Sequence, residues 1–177
     1  MKEEEKKTAK QLEIINSGDH EKIMDLIVIG FLYEKAEIAL IKRGNKEEIK
    51  AYISMFGFYD EAKATFINSC EKEEIETYIG DYYLCDKGEL ALIEKGDTEL
   101  IKACISERCF GNEAELALIK KGDTKAIKAY ISEYYLCSKA QIALIKRGVA
   151  EEIELYKENH AFCDEAEEIL RQKEETE

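Results

Sequence analysis

The feature that most constrains this 177-residue sequence is a repeat with a period of 26 residues. Isoleucine recurs six times at that interval, at Ile23, Ile49, Ile75, Ile101, Ile127 and Ile153. A second position always holds a large apolar residue, at Leu32, Phe58, Leu84, Phe110, Leu136 and Phe162. Such periodicity is typical of chains in which one small unit stacks on its own copies and buries a shared core.

Each unit reads as two short amphipathic helices joined by a turn. In the unit that begins at Ala140, Ile142, Leu144 and Ile145 form one apolar face, and Gly148 is expected to end that helix in a left-handed conformation. The following segment carries Ile153 and Tyr156 at helical spacing. Because no alternating strand pattern occurs, the sequence predicts an all-α fold, an α-α superhelix (solenoid) of about six helix-turn-helix repeats, right-handed or only slightly twisted.

The period also predicts the organisation of the chain and its ends. We expect one repeat domain over 1–177, with repeats at approximately 10–35, 36–61, 62–87, 88–113, 114–139 and 140–165 and a polar C-terminal cap helix at 166–177. Lys157 and Arg171 replace apolar residues of earlier copies, as expected where no further repeat covers the face. Near the other end, Val28 and Ile29 replace residues such as Ser54 and Ser132, which are expected to be exposed in other copies, and we expect the first ten residues to fold over them. A self-association patch is the alternative.

Acidic and amide residues recur where helices should begin. Asp60, Asp86, Asn112, Ser138 and Asp164 precede the apolar run of the first helices, and Glu89, Glu115, Gln141 and Glu167 follow three residues after four of them. This spacing predicts capping boxes. Asn45, Asp97 and Asp123 are expected to cap second helices, and Glu48 is expected to complete one further box.

The charge balance and the N-terminal residues limit the classes of partner. A net charge of −13 argues against a protein that binds nucleic acid by neutralising phosphates. The charged start MKEEEKKTAK lacks the apolar part of a signal peptide. The longest apolar run near it, from Leu26 to Tyr33, is too short to span a bilayer. We therefore expect a soluble, cytoplasmic protein without a membrane partner.

The six cysteines are expected to be free. Cys85, Cys137 and Cys163 share one repeat position, where stacked copies should lie farther apart than a disulfide allows. No Cys-x-x-Cys pair indicates zinc, so we interpret the cysteines as small core residues in a reducing compartment.

The phrases that start at Ala36, Gly88, Ala114 and Ala140 follow the pattern A-x-[IL]-A-L-I-x-[KR]-G-[ND], except that Gly88 stands at the first position of one and Val149 at the last position of another. This tandem pattern, over roughly residues 8 to 172, resembles the α-solenoid repeat proteins. The unit is shorter than tetratricopeptide or ankyrin repeats, and by size it is most similar to leucine-rich-repeat-variant and compact HEAT-like arrays. The resemblance implies a scaffold that binds other macromolecules.

The candidate partner-binding residues lie where each second helix ends. One position reads Phe56, Tyr82, Arg108, Tyr134 and His160, and the next includes Tyr83 and Tyr135. Aromatic and arginine side chains are good anchors because they bury much area at a small entropic cost. The alternative is that these rings pack on adjacent connections and complete the core.

A basic row recurs at the end of the first helices, at Lys42, Arg43, Lys95, Lys120, Lys121, Lys146 and Arg147. One interpretation is that this row binds an acidic segment of a partner or a nucleic-acid backbone. Complementing the helix dipole is the favoured interpretation, because Asp97 and Asp123 follow directly after the turn glycines and would repel phosphates.

Catalysis has little support in the sequence. The two histidines, His20 and His160, lie 140 residues apart, near opposite ends of the expected stack. The acid pairs Glu47-Glu48, Glu73-Glu74 and Glu151-Glu152 are interpreted as solvated outer faces. We therefore expect a non-enzymatic scaffold for a protein or peptide, with no cofactor or metal, as a monomer or weak homodimer. The alternatives are a nucleic-acid-binding helical repeat and a self-assembling structural module.

Overall fold

The structure, a computed structural model, describes residues 3–175, which form thirteen helices and no strand. The first helices of the repeats are α1 (Glu3–Ser17), α3 (Glu34–Arg43), α5 (Asp60–Ser69), α7 (Asp86–Lys95), α9 (Asn112–Lys121), α11 (Ser138–Arg147) and α13 (Asp164–Glu174). The second helices are α2 (His20–Ile29), α4 (Lys46–Ile53), α6 (Lys72–Asp81), α8 (Thr98–Glu107), α10 (Thr124–Glu133) and α12 (Ala150–Asn159). The all-α class and the helix-turn-helix repeat are confirmed.

Contacts group the helices into two compact units, the first ending at Ala91 and the second beginning at Leu92. In the first unit α3 packs between α1 and α5, and α2 packs on α4. In the second unit α11 packs between α9 and α13, and α10 packs between α8 and α12. Each of these helices therefore lies beside a helix two places away along the chain, as in a helical-repeat solenoid. The repeat limits, the single repeat domain and the handedness stay predictions.

The two recurrent apolar positions form the core, as predicted. All six isoleucines of the first series are buried, and Ile153 is the most exposed at 8%. The residues from Leu32 to Phe162 in the second series are likewise buried. Lys157 and Arg171, which replace apolar residues in the last copies, are exposed.

The starts of the second helices carry the caps predicted at Asn45, Asp97 and Asp123, but the box predicted at Glu48 is wrong, because its carboxylate binds His20 and Arg43. The Asn45 side chain accepts hydrogen bonds from the backbone N–H groups of Glu47 and Glu48, and Asp97 and Asp123 likewise cap α8 and α10. Gly148 ends α11 in the left-handed conformation at φ 74°, as expected. A capping box that the sequence did not predict starts α6, where the Glu71 and Glu74 side chains bind each other's backbone.

The capping boxes predicted at the starts of α9, α11 and α13 are wrong. Asn112, Ser138 and Asp164 are the first residues of their helices, and the preceding Gly111, Cys137 and Cys163 make no side-chain cap bond. The Glu115 side chain instead accepts a hydrogen bond from the backbone N–H of Cys137 in the next repeat. Gln141 binds the N–H of Cys163 in the same way. This residue thus joins two repeats instead of closing its own helix.

Four fully buried tyrosines fix the connections between hairpins. Each hydroxyl accepts a hydrogen bond of 3.0–3.2 Å from the backbone N–H of the residue twenty positions earlier. The pairs are Tyr52 with Leu32, Tyr78 with Phe58, Tyr130 with Phe110, and Tyr156 with Leu136. The hydroxyls of Tyr52 and Tyr130 also donate to the buried carboxylates of Glu37 and Glu115. A second helix therefore holds the connection that precedes its own hairpin.

The six cysteines are free, but only Cys104 is buried. Cys109 is exposed and the other four are half-buried. The thiols of Cys85 and Cys137 donate to the carbonyl oxygens of Asp60 and Asn112, at 3.7 and 3.8 Å. The interpretation as core residues therefore holds for Cys104 only.

Candidate functional site

The first series of predicted anchor residues lies against the core. Phe56, Tyr82, Arg108, Tyr134 and His160 are all half-buried. Four of these rings pack on the buried tyrosine four residues earlier in the same repeat, with centroids 5.1–5.4 Å apart. The Tyr82 ring also lies over Gly57, where an added Cβ would approach it to 2.8 Å.

Two of these residues also bind the backbone of the preceding repeat. The Tyr134 hydroxyl donates to the carbonyl oxygen of Ile105 at 2.9 Å, and the His160 Nε2 atom lies 3.0 Å from the carbonyl oxygen of Ile131. Burial raises the pKa of Tyr134. These contacts favour the structural interpretation for this series, in which the rings complete the packing of the connections.

The second series is more exposed. Tyr83 and Tyr135 have exposed fractions of 74% and 54%. The Tyr135 ring makes an edge contact with His160 at 5.8 Å and keeps its outer side open. Phe31 occupies the same repeat position and is 55% exposed. The sequence analysis missed this residue, although it lies one 26-residue period before Gly57 and two before Tyr83. Unlike the first series, these aromatic side chains are available to a partner.

The exposed large apolar residues of the described range all fall in one six-residue part of the repeat. This part covers the end of the second helix and the connection that follows it. In the first unit these residues, here named the connection surface, are Val28, Ile29, Phe31, Met55, Tyr59 and Tyr83. Tyr135 is their counterpart in the second unit. The exposed apolar area is therefore distributed by repeat position, and not scattered over the outside of the helices.

The expectation that the N-terminal residues cover Val28 and Ile29 is wrong. These side chains are 67% and 83% exposed although α1 begins at Glu3. The first helix packs on α2 and α3 through other residues, including the buried Ile15. Position in the repeat explains the difference, because Val28 and Ile29 stand where the next copy carries the exposed Ser54 and Met55.

An apolar groove adjoins this end of the connection surface. Its apolar walls are Ile14, Leu26, Ile29 and Phe31, and Lys7 and Lys10 also line it. Gln11 also lines the groove and holds the backbone beside it. Its side-chain amide donates to the Phe31 carbonyl oxygen, and its Oε1 accepts from the Tyr33 N–H. The groove can accept apolar side chains beside a basic rim.

The basic row lies in the last turns of first helices, as the dipole interpretation requires. Much of its charge is already bound. Arg43 and Arg147 pair with buried glutamates, and Lys121 pairs with Glu94 on α7 of the neighbouring hairpin at 2.9 Å. Lys42, Lys120 and Lys146 are exposed.

The acid pairs are not uniformly solvated. Glu47, Glu73 and Glu151 are exposed, but Glu48, Glu74 and Glu152 are buried, so the interpretation as outer faces is wrong for the second member of each pair. Adjacent helical residues point about 100° apart, which turns one carboxylate outward and the other inward. A buried carboxylate requires a partner, and these three positions differ in the partners they have.

The described residues contain no group of three or more histidine, cysteine or acidic side chains that could hold a metal ion. Between residues 3 and 175, every helix is too short or too polar to cross a lipid bilayer. His20 lies in the first unit and binds Glu48, with Nδ1 and Oε1 2.9 Å apart. His160 lies in the second unit and contacts the Ile131 carbonyl oxygen.

Comparisons with known proteins provide no relative. No family model, curated protein or solved structure matches this chain.

Proposed function

We propose that the chain is a non-enzymatic repeat scaffold that binds a protein or peptide partner through the connection surface. The observation that carries this proposal is the restriction of exposed large apolar side chains to one part of the repeat. A partner that lies along this surface would meet an apolar or aromatic side chain from successive repeats. In stacked hairpins equivalent positions recur about every 8–10 Å, a spacing that suits an extended or helical segment.

The scaffold holds these side chains in place before a partner arrives. Phe31 precedes Leu32, whose N–H is bound by the Tyr52 hydroxyl, and Tyr135 precedes Leu136, whose N–H is bound by Tyr156. Anchors on a connection that is already ordered lose little conformational entropy on binding. We further propose a cytoplasmic location, which the six free cysteines support.

Selection from a peptide-display library tests this function. The library is panned on the full chain, and binding of the selected peptides is compared with a variant carrying Phe31→Ser, Tyr59→Ser and Tyr83→Ser, all within the connection surface of the first unit. We expect the triple variant to bind at least about tenfold more weakly, because truncation of aromatic anchors typically costs more than 1 kcal/mol each.

The matched control replaces half-buried rings of the first series in the same unit, with Phe56→Leu and Tyr82→Phe, which change the packing volume little. These changes should leave peptide affinity nearly unchanged. Selected peptides that bind the triple variant as tightly as the parent would show that the connection surface is not the binding site.

Self-association is the second candidate function, and Val28, Ile29 and Phe31 favour it as a compact exposed apolar group in the first unit. A second copy that covered them would give a concentration-dependent particle size in light scattering. The size should become independent of concentration in Val28→Glu, because a buried charge opposes the contact. A constant monomer size in the parent protein would exclude this candidate.

A further inference from the structure

Three second helices carry a buried glutamate at the same repeat position: Glu48, Glu74 and Glu152. For two of these glutamates, an arginine five residues earlier, at the end of the preceding first helix, binds the carboxylate. The Arg43 Nε atom lies 3.0 Å from Glu48 Oε2, and the Arg147 Nε atom lies 3.0 Å from Glu152 Oε2. The chain thus shows twice how a buried carboxylate at this position is neutralised.

Glu74 lacks this arginine, because Ser69 stands at the corresponding position. The Glu74 side chain is 6% exposed. Its Oε2 accepts a hydrogen bond of 3.0 Å from the Glu71 N–H, and its buried Oε1 has no partner among the described residues. Lys46, whose charge acts on Glu74, binds the Glu71 carboxylate.

Glu152 provides a useful comparison, since its Oε1 also lacks a partner. The Glu152 carboxylate, however, forms an ion pair with Arg147 through Oε2. Within residues 3–175, Glu74 is therefore the member of this series whose carboxylate is bound by no cationic side chain. Burial of a carboxylate without a cation is unfavourable, which leaves a binding free energy available to a cation from outside.

A surface cleft between α4 and α6 leads to this glutamate. Lys50 and Ile53 of α4 and Ser54 directly after this helix line one side, and Glu74, Thr77 and Asp81 of α6 line the other. Two carboxylates against one exposed lysine give the cleft a negative balance. Ile53 offers an apolar wall for an aliphatic side-chain stem, and the Thr77 hydroxyl donates to the Glu73 carbonyl oxygen, so it does not satisfy Glu74.

We propose that Glu74 binds an arginine side chain of the partner, whose stem lies in the cleft between α4 and α6. Arginine is favoured over lysine because its planar fork of N–H donors matches a carboxylate and because its guanidinium is less strongly hydrated. The proposal rests on the proposed function, since it assumes a protein or peptide partner. It adds the chemistry that this partner must carry: one arginine beside its apolar anchors.

Titration with N-acetyl-arginine amide tests the site without a known partner. The readout is the side-chain carboxyl ¹³C shift of Glu74 in the full chain. We expect a saturable shift at millimolar probe, and a much smaller one with the citrulline analogue, which has a similar shape but no charge. Glu74→Gln should weaken binding of the probe, measured by the amide shift of Thr77, by about tenfold.

Glu76→Gln is the matched control, because it removes the same charge from an exposed residue of α6 and should change the affinity by less than about twofold. Ser69→Arg should supply the missing cation from within the chain. The same change is also tested together with Cys70→Gly, because glycine allows the left-handed helix end that is found at Gly44 and Gly148. A variant in which the new arginine reaches Glu74 should unfold at a higher temperature than the parent and should no longer bind N-acetyl-arginine amide.

Three outcomes would overturn the proposal: no saturable shift, an equal affinity in Glu74→Gln, or binding that appears only in Lys50→Met. The last result would mean that Lys50 itself occupies the carboxylate in solution. None of them affects the connection-surface experiment, because its peptides are selected without regard to arginine. Loss of peptide binding in the serine triple variant with no probe binding would keep the proposed function and reject the arginine site.

Discussion

The hydroxyl of Tyr52 donates a hydrogen bond of 2.7 Å to Oε1 of Glu37, and both side chains are fully buried. Oε2 of the same carboxylate accepts from the Tyr59 N–H at 2.8 Å. One glutamate thereby joins its own repeat to the connection of the next. Tyr130 and Glu115 repeat the arrangement in the second unit.

Glu37 should make stability depend on pH. Burial raises the pKa of Glu37 to about 7 from an ordinary value of 4.5, although the hydrogen bonds from Tyr59 and Tyr52 favour the charged form. Because the folded chain holds this proton more tightly than the unfolded chain, the stabilisation is complete below pH 4.5 and is lost as the pH rises through 7.

We therefore expect the free energy of unfolding, measured in urea, to fall between about pH 5 and pH 8 by a contribution on the order of 1–3 kcal/mol. Glu37→Gln should reduce this fall, since a glutamine does not titrate. The native Gln141 shows that an amide is accommodated at the equivalent position. An identical pH dependence in the parent and the variant would contradict the role given to Glu37.

The repeated isoleucines should contribute unequally to stability. Ile101→Ala is expected to cost about 2–5 kcal/mol, because Ile101 is 2% exposed and its removal leaves a cavity. Ile153→Ala, in the last copy of the same unit, should cost less, because the site is 8% exposed and can relax towards solvent. Urea unfolding of both variants at one pH gives the comparison, and equal losses would count against a stack with weaker ends.

Two glycines with open space around them should respond in opposite directions to alanine. Gly44 has φ 73° and an added Cβ would meet no atom within 4 Å, so Gly44→Ala should cost about 1 kcal/mol through backbone strain alone. Gly80 lies within α6, also with open space, and Gly80→Ala should stabilise by about 0.5–1 kcal/mol. Thermal unfolding resolves the sign, and a loss in both variants would contradict this account.

The buried ion pair of Arg147 and Glu152 should be more important than an exposed one. Arg147→Met leaves the fully buried Glu152 without its cation, and we expect a loss of about 3–5 kcal/mol. Lys121→Met breaks the exposed pair with Glu94 and should cost less than about 1 kcal/mol. Adding Glu152→Leu to Arg147→Met should recover much of the stability, and failure to do so would place the loss in packing instead of charge.

The sequence predicted the helices because their pattern is local. The apolar faces and the caps at Asn45, Asp97 and Asp123 depend on residues a few positions apart, and the 26-residue period repeats this local pattern along the chain. The role of Glu115 was not predicted, because its spacing from Asn112 is that of a capping box and its true partner is 22 residues away. The signal was present in the sequence, since a tyrosine follows both Glu37 and Glu115 by fifteen residues.

The candidate site was predicted in part for the same reason. Repetition identified the variable residues at the ends of the second helices, but could not show that Tyr134 and His160 bind the preceding backbone while Tyr83 and Tyr135 remain exposed. That difference depends on which side of the connection faces the neighbouring hairpin. The burial of Glu74 was missed similarly, because its neighbour Glu73 is solvated.

The bonds from the buried tyrosines to earlier backbone N–H groups run in one direction along the chain. Truncation should therefore act asymmetrically within a unit. Deleting α12 removes Tyr156 and releases the backbone at Leu136. Deleting α9 leaves Leu136 bound by Tyr156, although the Cys137 N–H loses its bond to Glu115. A shortened version of this protein should keep the tyrosine bonds of its remaining connections when helices are removed from the N-terminal end of a unit, and should lose one of them when the last helices are removed.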